Sequence, residues 1–520
     1  MDPRIAAAWA LLPGYLAQHV LLAASALILG VAVSLPLAVA ASRSAVVRWP
    51  SLLLASLVQT IPSLALLALF YPLLLAIGTL TKGAFGFTLP SLGFLPSLLA
   101  LTLYSMLPIL RNGVAGLTGV DPAIVEAARG VGMTDRQRLF QVELPLAAPV
   151  IMAGVRTAAV WTIGAATLAT PVGQTSLGNY IFSGLQTENW VFVLFGCGAS
   201  AALALAADQL LGLIEQGLAD RSRGRMIAGS VGLIAGTLIA LSPLVGAAGA
   251  PAKYVVGAKN FSEQYILAEL IAGRLERGGA AVERKEDLGS SFAYDALKDG
   301  VVDTYVDYSG TLWANILKRK DSPGRQAVLD QLTAELKRRD GVVVLGSLGF
   351  ENAYALAMRR QEAETLHIRT LDVLAAHAGP LTFGADLEFL SRPEWAAVQD
   401  AYGLKFKRQA EYQPTFMYRA LTSGQADVIS AFSSDGRIAA DDLVVLDDPR
   451  HALPPYDAVV LVSPKRANDL RLLGVLKPLI GKIPVDAMRA ANLTVDRDQD
   501  KLTPAEAAKA LDAKLGSSAG

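Results

Sequence analysis

The chain has 520 residues, of which 52% are apolar, and its 46 basic and 46 acidic side chains balance to a net charge of zero. This length and a positive mean hydropathy exclude one ordinary soluble domain, and the balanced charge gives no indication of nucleic-acid binding. The single cysteine, Cys197, excludes an intrachain disulfide, and with only four histidines we expect no metal site.

Apolar segments fill the first half of the sequence, after a short amphipathic lead over residues 1–12. Six of them are long enough to cross about 30 Å of hydrocarbon. They are 17–41, 52–77, 92–117, 149–170, 190–214 and 226–248. A cleaved signal peptide is the alternative for the first, because Ala38-Val39-Ala40 resembles a processing site. Its apolar stretch is too long for that and further spans follow, so we interpret it as a membrane span.

The arginines predict the orientation of these spans. They cluster after the first, third and fifth spans, whereas the intervening loops hold only Lys82. The clustered residues are Arg43, Arg48, Arg111, Arg129, Arg136, Arg138, Arg221, Arg223 and Arg225. These three loops are therefore expected in the cytoplasm, with everything after residue 250 outside it. Arg4 opposes this orientation but does not outweigh the nine.

The loop at 121–149 carries a motif with defined spacing. Glu126-Ala127-Ala128 is followed after three residues by Gly132, and after nine more by Val-Glu-Leu144-Pro145. The small alanines, the glycine and the proline predict a short helix-turn-helix that Pro145 ends. The spacing resembles the coupling loop of importer permeases of the ATP-binding-cassette (ABC) superfamily. That resemblance implies docking to a separate ATPase subunit; an ordinary amphipathic loop is the alternative.

Ionisable residues are rare within the predicted spans. We expect Arg156, Asp208 and Glu215 to lie toward the cytoplasmic ends of their spans, which gives little support for a proton relay through the bilayer centre.

After a short linker at 248–252 the composition changes, and short β-like runs alternate with amphipathic helices. The predicted strands begin with 254–257, before a helix near 261–277 for which Ser262 is a plausible cap. Further strands are predicted at 342–345, 354–358, 381–384, 428–432, 443–446 and 458–462. This alternation predicts a two-lobed α/β domain with mostly parallel sheets around a cleft. The resulting domains are a permease at 1–225, a last span and tether at 226–252, a binding domain at 253–515 and a flexible tail at 516–520.

Four stretches of the second half carry a further resemblance. They are Gly-Ala-Lys-Asn-Phe-Ser-Glu-Gln at 257–264, the stretch ending Asp-Tyr-Ser-Gly-Thr at 296–311, Glu-Phe-Leu-Ser-Arg at 388–392 and Phe-Ser-Ser-Asp-Gly-Arg at 432–437. Their order is similar to that of the substrate-binding proteins of glycine betaine, choline and carnitine importers, and of relatives that bind ergothioneine. Together the two resemblances imply a permease fused to its own binding protein.

A quaternary ammonium has no N–H to donate, so a protein recognises it by shape and by the negative faces of aromatic rings. The resemblance implies a cage of Tyr308, Tyr354, Phe432 and Tyr456, and carboxylate contacts from Lys259, Thr311 and Arg392, with cleft closure on binding. Glu263 and Gln264 are candidates for the polar end of a larger ligand. The alternative for each ring is packing in a core. The alternatives for Arg392 are pairing with Glu394 or capping a helix.

No phosphate-binding Gly-x-x-x-x-Gly-Lys-Ser/Thr motif occurs in the sequence, so ATP and Mg²⁺ are expected on the partner ATPase, with no cofactor in this chain. A passage in this superfamily is formed by two permease domains, which implies a homodimer in the bacterial plasma membrane, in contact with lipid. No catalytic residues are predicted. A membrane-anchored sensor or ligand-gated channel remains the alternative function, and the sequence does not choose among the quaternary-ammonium ligands.

Overall fold

The structure is a computed structural model that describes residues 3–85, 90–187, 189–246, 254–319, 321, 323–497 and 499–517. The predicted tether at 248–252 and the last three residues of the predicted tail lie outside these ranges. The chain divides into two compact units, one comprising Met1–Phe182 and Val191–Gly249 and the other Ser183–Trp190 and Ala250–Gly520.

The first unit is helical. Among the described residues, five helices are long and apolar enough to cross a membrane, or six if one bent pair counts as a single span. The helices are α1 Pro3–Arg43, α2 Ala45–Thr60, α3 Ser63–Phe85, α4 Phe94–Thr118, α5 Pro122–Gly130, α6 Asp135–Arg138, α7 Leu144–Ala166, α8 Gly178–Gln186, α9 Trp190–Ala219 and α10 Arg223–Gly246. A 3₁₀ turn, Thr167–Val172, extends α7. Helices α1, α4 and α7 pack against one another as the centre of this unit.

Two sequence-based boundaries are wrong. The predicted lead at 1–12 is not separate, because Pro3 to Arg43 form one helix. The predicted span 52–77 is broken, since α2 and α3 meet at an angle of 103°. The break follows from Pro62, which disfavours helical geometry at the preceding residue, and Ile61 is accordingly extended with ψ 127°.

The segment between α4 and α7 folds locally. Asp121 caps α5 by accepting a hydrogen bond from the Ala123 N–H, and Gly132 takes a left-handed φ of +82° in the turn that follows. Thr134 and Gln137 then form a reciprocal capping box at the start of α6.

Pro145 does not end a helix, contrary to the prediction. It lies in the first turn of α7, and the residues before it, Leu139–Glu143, form a π-helical turn closed by the bond from the Leu144 N–H to the Leu139 carbonyl. Proline has no N–H and is tolerated in the first turn of a helix. The π-helical turn before Pro145 accommodates it, and the helix continues into α7.

Arg156 is the thirteenth of the 23 residues of α7. The expectation that it lies toward the cytoplasmic end of its span stays a prediction. Its guanidinium donates to both carboxylate oxygens of Asp208 at 2.5 and 2.7 Å, and to Glu215 at 3.3 Å. Pairing with carboxylates is the arrangement that makes a charge tolerable within a membrane-spanning helix.

The second unit contains two five-stranded sheets, one in each lobe. In the first lobe the order is β2-β1-β3-β10-β4, and in the second it is β7-β6-β8-β5-β9. The strands are β1 Tyr254–Lys259, β2 Val282–Leu288, β3 Thr304–Tyr308, β4 Val343–Glu351, β5 Tyr354–Arg359, β6 Thr382–Ala385, β7 Arg408–Glu411, β8 Val428–Phe432, β9 Leu443–Val445 and β10 Asp457–Val462. Every predicted strand is present within a few residues, whereas β2, β3 and β7 were not predicted.

Helices cover both sheets. They are α11 Ser262–Arg277, α12 Ser290–Lys298, α13 Ser309–Thr311, α14 Arg325–Asp340, α15 Arg360–Thr365, α16 Leu371–His377, α17 Leu387–Ser391, α18 Pro393–Tyr402, α19 Pro414–Thr422, α20 Arg437–Ala440, α21 Leu470–Leu476, α22 Val485–Asp496 and α23 Pro504–Ser517. A π-helical turn, Leu312–Ile316, and two 3₁₀ turns, Pro464–Arg466 and Lys477–Leu479, complete the list. Ser262 is the first residue of α11 and its hydroxyl donates to Asp496, so its predicted role as the cap is wrong.

The sheets are mixed rather than mostly parallel. Strands β1, β2 and β3 run parallel, as do β6, β7 and β8, but β10 is antiparallel to both its neighbours and so is β5. The reason is the path of the chain, which crosses between lobes after β4 and again before β10. A strand that enters its sheet at the cleft runs opposite to the strands that end there.

Candidate functional site

A cavity of about 440 Å³ lies between the two lobes of the second unit. Its volume is within the range of about 300 to 1,000 Å³ that is usual for small-molecule sites. It is lined by Lys259, Asn260, Phe261, Tyr308, Thr311, Asn352, Tyr354, Asp386, Leu387, Glu388, Arg392, Glu411, Tyr412, Gln413, Phe432 and Tyr456. All seven predicted ligand-binding residues therefore meet at one cavity, although their contact with a ligand stays a prediction.

Strand ends place the rings at the cleft. Tyr308 is the last residue of β3 and Phe432 the last of β8, whereas Tyr354 opens β5 and Tyr456 immediately precedes β10. Parallel strands present their carboxyl ends at one edge of a sheet, and the two crossing strands begin at the same edge. The fold thus gathers residues from four strands and both lobes.

Five of the lining rings form a continuous series of contacts. Tyr354 is central, with its ring centroid 5.1 Å from that of Phe432 and 5.6 Å from that of Tyr456. Phe261 lies parallel to Phe432, with an interplanar angle of 2° and a centroid distance of 6.3 Å, and 6.1 Å from Tyr308. The faces of aromatic rings attract a cation, including one that cannot donate hydrogen bonds.

Buried carboxylates hold two of the tyrosine hydroxyls. Tyr308 donates to Glu263 at 2.6 Å, and Tyr456 donates to Glu394. Gln264 in turn donates to the Tyr308 hydroxyl at 3.0 Å. Glu263 and Gln264 are not among the residues that line this cavity. In this structure they orient the ring of Tyr308, and their contact with a larger ligand stays a prediction.

The two cations of the cavity already have acidic partners. The Lys259 ammonium pairs with Asp307, with both side chains buried. Arg392, only 7% exposed, pairs with Glu388 and lies 3.4 Å from Glu394, one of the alternatives that the sequence left open.

Arg392 retains one uncommitted donor. Its Nε is buried and has no hydrogen-bond partner among the described residues, while one Nη donates to the Thr311 hydroxyl at 3.4 Å. A free guanidinium N–H beside a hydroxyl is suited to an anionic group of a ligand. The same guanidinium lies 5.3 Å from the centroid of Tyr354, so the polar and aromatic parts of the cavity adjoin.

Burial also acts on the acids around the cavity. It raises the pKa of Asp386, against a hydrogen bond from the Phe389 N–H that lowers it. Burial likewise raises the pKa of Glu263, and hydrogen bonds from neighbouring donors, including Tyr308, oppose that rise. Among the described residues, no group of three His, Cys, Asp or Glu side chains is arranged to hold a metal ion.

Sequence reasoning missed two of the aromatic lining residues. Phe261 stands at the N-cap position of α11 with an extended backbone, and Tyr412 follows the edge strand β7. Phe261 lies inside the motif at 257–264, so the motif itself was the available signal. No comparable pattern surrounds Tyr412.

The predicted coupling residues occupy the segment between α4 and α7. Glu126 and Ala127 are exposed on α5, Ala128 is buried against the segment, and Gly132 forms the turn. Leu144 and Pro145 begin α7.

Apolar side chains are also presented to the surface of this segment. Val131 is 76% exposed and Phe140 is 60% exposed, close in sequence to the motif. Arg138 stabilises the shape by pairing with Asp135 at 2.9 Å and Glu143 at 2.6 Å. Exposed apolar side chains beside the motif are compatible with a surface that binds a partner protein, and the coupling role of these residues stays a prediction.

A helical membrane bundle and a two-lobed binding domain in one chain define the class: an ABC importer permease that carries its own substrate-binding domain. Residues 252–514 match the family described as the substrate binding domain of ABC-type glycine betaine transport systems. Residues 30–220 match the binding-protein-dependent transport system inner membrane component.

The chain is 29% identical over 463 residues, covering 84% of this chain and 78% of the relative, to the ergothioneine transport permease/ergothioneine binding protein EgtU of Helicobacter pylori strain G27. It is 38% identical over 209 residues to the choline transport system permease protein OpuBB of Bacillus subtilis strain 168, covering 40% of this chain and 89% of that one. A crystal structure of a glycine betaine/carnitine/choline ABC transporter is 27% identical with a TM-score of 0.45, covering 51% of this chain and 98% of that chain. The chain belongs to the glycine betaine transport family of ABC importers, as a fused permease and substrate-binding protein. It is a transport protein.

Proposed function

We propose that the chain captures a quaternary-ammonium compound in the cavity between its lobes and passes it inward through the permease domain. The observation that carries the proposal is the series of five rings from Tyr308 to Tyr456, joined by four contacts around a single cavity. Each desolvated contact between a ring face and a cation contributes roughly 0.5 to 2 kcal/mol, and several together give a useful affinity.

A ligand that also carries a carboxylate fits the polar part of the cavity. The free Nε of Arg392 and the hydroxyl of Thr311 are adjacent there, whereas Lys259 is neutralised by Asp307 and contributes less than the sequence suggested. Glycine betaine, carnitine and ergothioneine combine both groups, and choline lacks the carboxylate. The names of the relatives, for ergothioneine and choline, support the same ligand class.

The remaining parts of the importer are supplied by partners. ATP and Mg²⁺ bind a separate ATPase subunit, which docks on the segment from Glu126 to Pro145. Two copies of the chain form the passage through the plasma membrane, and the arginine-bearing turns face the cytoplasm, so that the binding domain faces outward. The exposed Val131 and Phe140 support the docking part of this proposal.

The test is calorimetric titration of the full chain in lipid nanodiscs with glycine betaine, choline, carnitine and ergothioneine. We expect saturable binding of at least one compound, with an affinity roughly ten- to thirtyfold lower in Tyr354→Ala. Absence of binding for all four compounds by correctly folded protein would contradict the proposal.

A further inference from the structure

Glu263 lies directly behind a ring of the cavity without entering it. It is in the first turn of α11 and is 3% exposed, and its nearest link to the cavity is the hydroxyl of Tyr308. A carboxylate is costly to bury, so its position requires compensating interactions.

Donors surround this carboxylate. One oxygen accepts from the Tyr308 hydroxyl at 2.6 Å and from the Asn352 amide at 3.1 Å, and the other accepts from the Asn492 amide at 2.9 Å. A protonated carboxyl would need an acceptor for its own proton, whereas an ionised carboxylate accepts only. All three partners are donors, so they favour the ionised form and oppose the burial that raises the pKa of this carboxyl.

The direction of the Tyr308 hydroxyl proton is also fixed. The Gln264 side-chain amide donates to that oxygen at 3.0 Å, and its carbonyl faces the Lys259 N–H at 3.4 Å. Because Gln264 occupies the accepting side of the phenol, the phenol proton points to Glu263. The result is a charge-assisted hydrogen bond in a site shielded from water, where such bonds are strong.

This bond changes the ring as well as positioning it. A carboxylate that accepts a phenol proton increases electron density on the oxygen and the ring, and a ring face binds a cation through that negative charge density. The carboxylate also adds a fixed negative charge in a region of low dielectric constant, where its attraction reaches further than in water.

We propose that Glu263 determines the selectivity of the cavity for charge: through Tyr308 it makes the cavity prefer a cationic trimethylammonium group over an uncharged group of the same shape. The inference rests on the proposed function and adds a positioning residue to it. If Glu263 only linked α11 to Asn352 and to α22, replacing it would weaken the binding of cationic and uncharged ligands equally.

The experiment compares choline with 3,3-dimethylbutan-1-ol, in which carbon replaces nitrogen in the same shape. Both are titrated into the full chain in nanodiscs, and the ratio of the two dissociation constants is measured. We expect the wild type to prefer choline and Glu263→Gln to lower that preference by roughly three- to tenfold. Glu276→Gln is the matched control, because it removes the same charge from the exposed side of the same helix and should leave the ratio unchanged.

Tyr308→Phe keeps the ring and removes the hydroxyl, so it tests the inference even where Glu263→Gln does not fold. We expect it to lower the ratio by a similar factor. A wild type that prefers choline and variants that keep the full preference would overturn the inference while leaving the proposed function intact. An equal fall in Glu276→Gln would also overturn it, and a wild type with no preference would overturn both proposals.

Discussion

The proposed coupling segment and the ligand cavity are assembled from the chain in different ways. The segment is built from one continuous stretch, Pro122 to Pro145, and exposes the motif residues Glu126, Ala127, Gly132 and Pro145. The cavity gathers residues from 259 to 456, and two sheets bring them together in the interior of one unit. The residues proposed for recognition and for coupling therefore lie in different units, so variants are expected to remove one activity and leave the other.

The largest expected effect is on coupling. Glu126→Arg combined with Gly132→Val reverses a charge on the exposed face of α5 and forces a β-branched residue into a left-handed turn, where φ is +82°. We expect ligand-stimulated ATP hydrolysis by the complex with its ATPase subunit to be lost, while ligand affinity is unchanged. Asp220→Arg is the control, because it reverses a charge in another exposed turn of the permease unit. Unchanged hydrolysis in the double variant would contradict the docking assignment.

The next effect is on recognition. Tyr354→Ala removes the central ring, which contacts Phe432 and Tyr456, and should weaken every quaternary-ammonium ligand by roughly ten- to thirtyfold in calorimetry. Tyr354→Phe keeps the ring and should retain affinity within about threefold, since the face and not the hydroxyl meets the cation. Equal losses in both variants would show that the hydroxyl, rather than the ring face, makes the contact.

A smaller and more selective effect is expected at Arg392. Arg392→Ala should weaken glycine betaine by about tenfold, the value of a charge-assisted hydrogen bond, and choline much less. Arg392→Lys should be intermediate for glycine betaine, because an ammonium keeps the charge without the planar pair of donors. Equal losses for glycine betaine and choline in the alanine variant would remove the role of Arg392 as a carboxylate contact.

The least effect on either activity is expected at Asp287, which does not line the cavity. Burial raises the pKa of this carboxyl to about 7, against a hydrogen bond from Tyr265 that lowers it. Because the pKa of Asp287 is higher in the folded protein than in the unfolded chain, the protonated carboxyl contributes its full stability to the fold below about pH 4. That contribution is lost as the pH rises through 7 and the buried carboxyl ionises.

Asp287→Asn should therefore stabilise the protein increasingly from pH 5 to pH 8, by on the order of 3 kcal/mol at the upper limit. Asparagine also tolerates the left-handed φ of 64° at this position and keeps an oxygen for Tyr265. Denaturant unfolding at several pH values measures the difference, and ligand affinity is the control. A constant difference across the pH range would contradict the assigned pKa.

The same contrast explains what the sequence predicted. Motif spacing predicted the short helix-turn-helix formed by α5 and α6, because its geometry is set within a few helical turns, although Pro145 was misread as a helix end. Apolar strands such as β5 and β8 were predicted because they are buried in their sheets. The unpredicted β2 and β7 are edge strands with charged sequences, and β3 carries the buried polar residues Thr304 and Asp307, whose partners lie far away in the chain.

The site was predictable in its members but not in its electrostatics. Tyr308, Tyr354 and Arg392 were found from motifs, whereas the carboxylates that hold the rings were not. The sequence made Glu263 a candidate ligand contact. In the structure it lies behind Tyr308, and this position depends on the rotation of α11 and on its packing against α22, which the motif does not encode. Spacing along one chain does not encode which side of a ring a neighbouring carboxylate occupies.

The most direct test of the account is a structure of the chain with a trimethylammonium ligand bound. The account predicts the quaternary nitrogen within about 6 Å of the ring centroids of Tyr308, Tyr354 and Phe432, with no carboxylate of the protein in contact with it. A nitrogen placed against Glu388 or Glu411 instead, away from these rings, would contradict it.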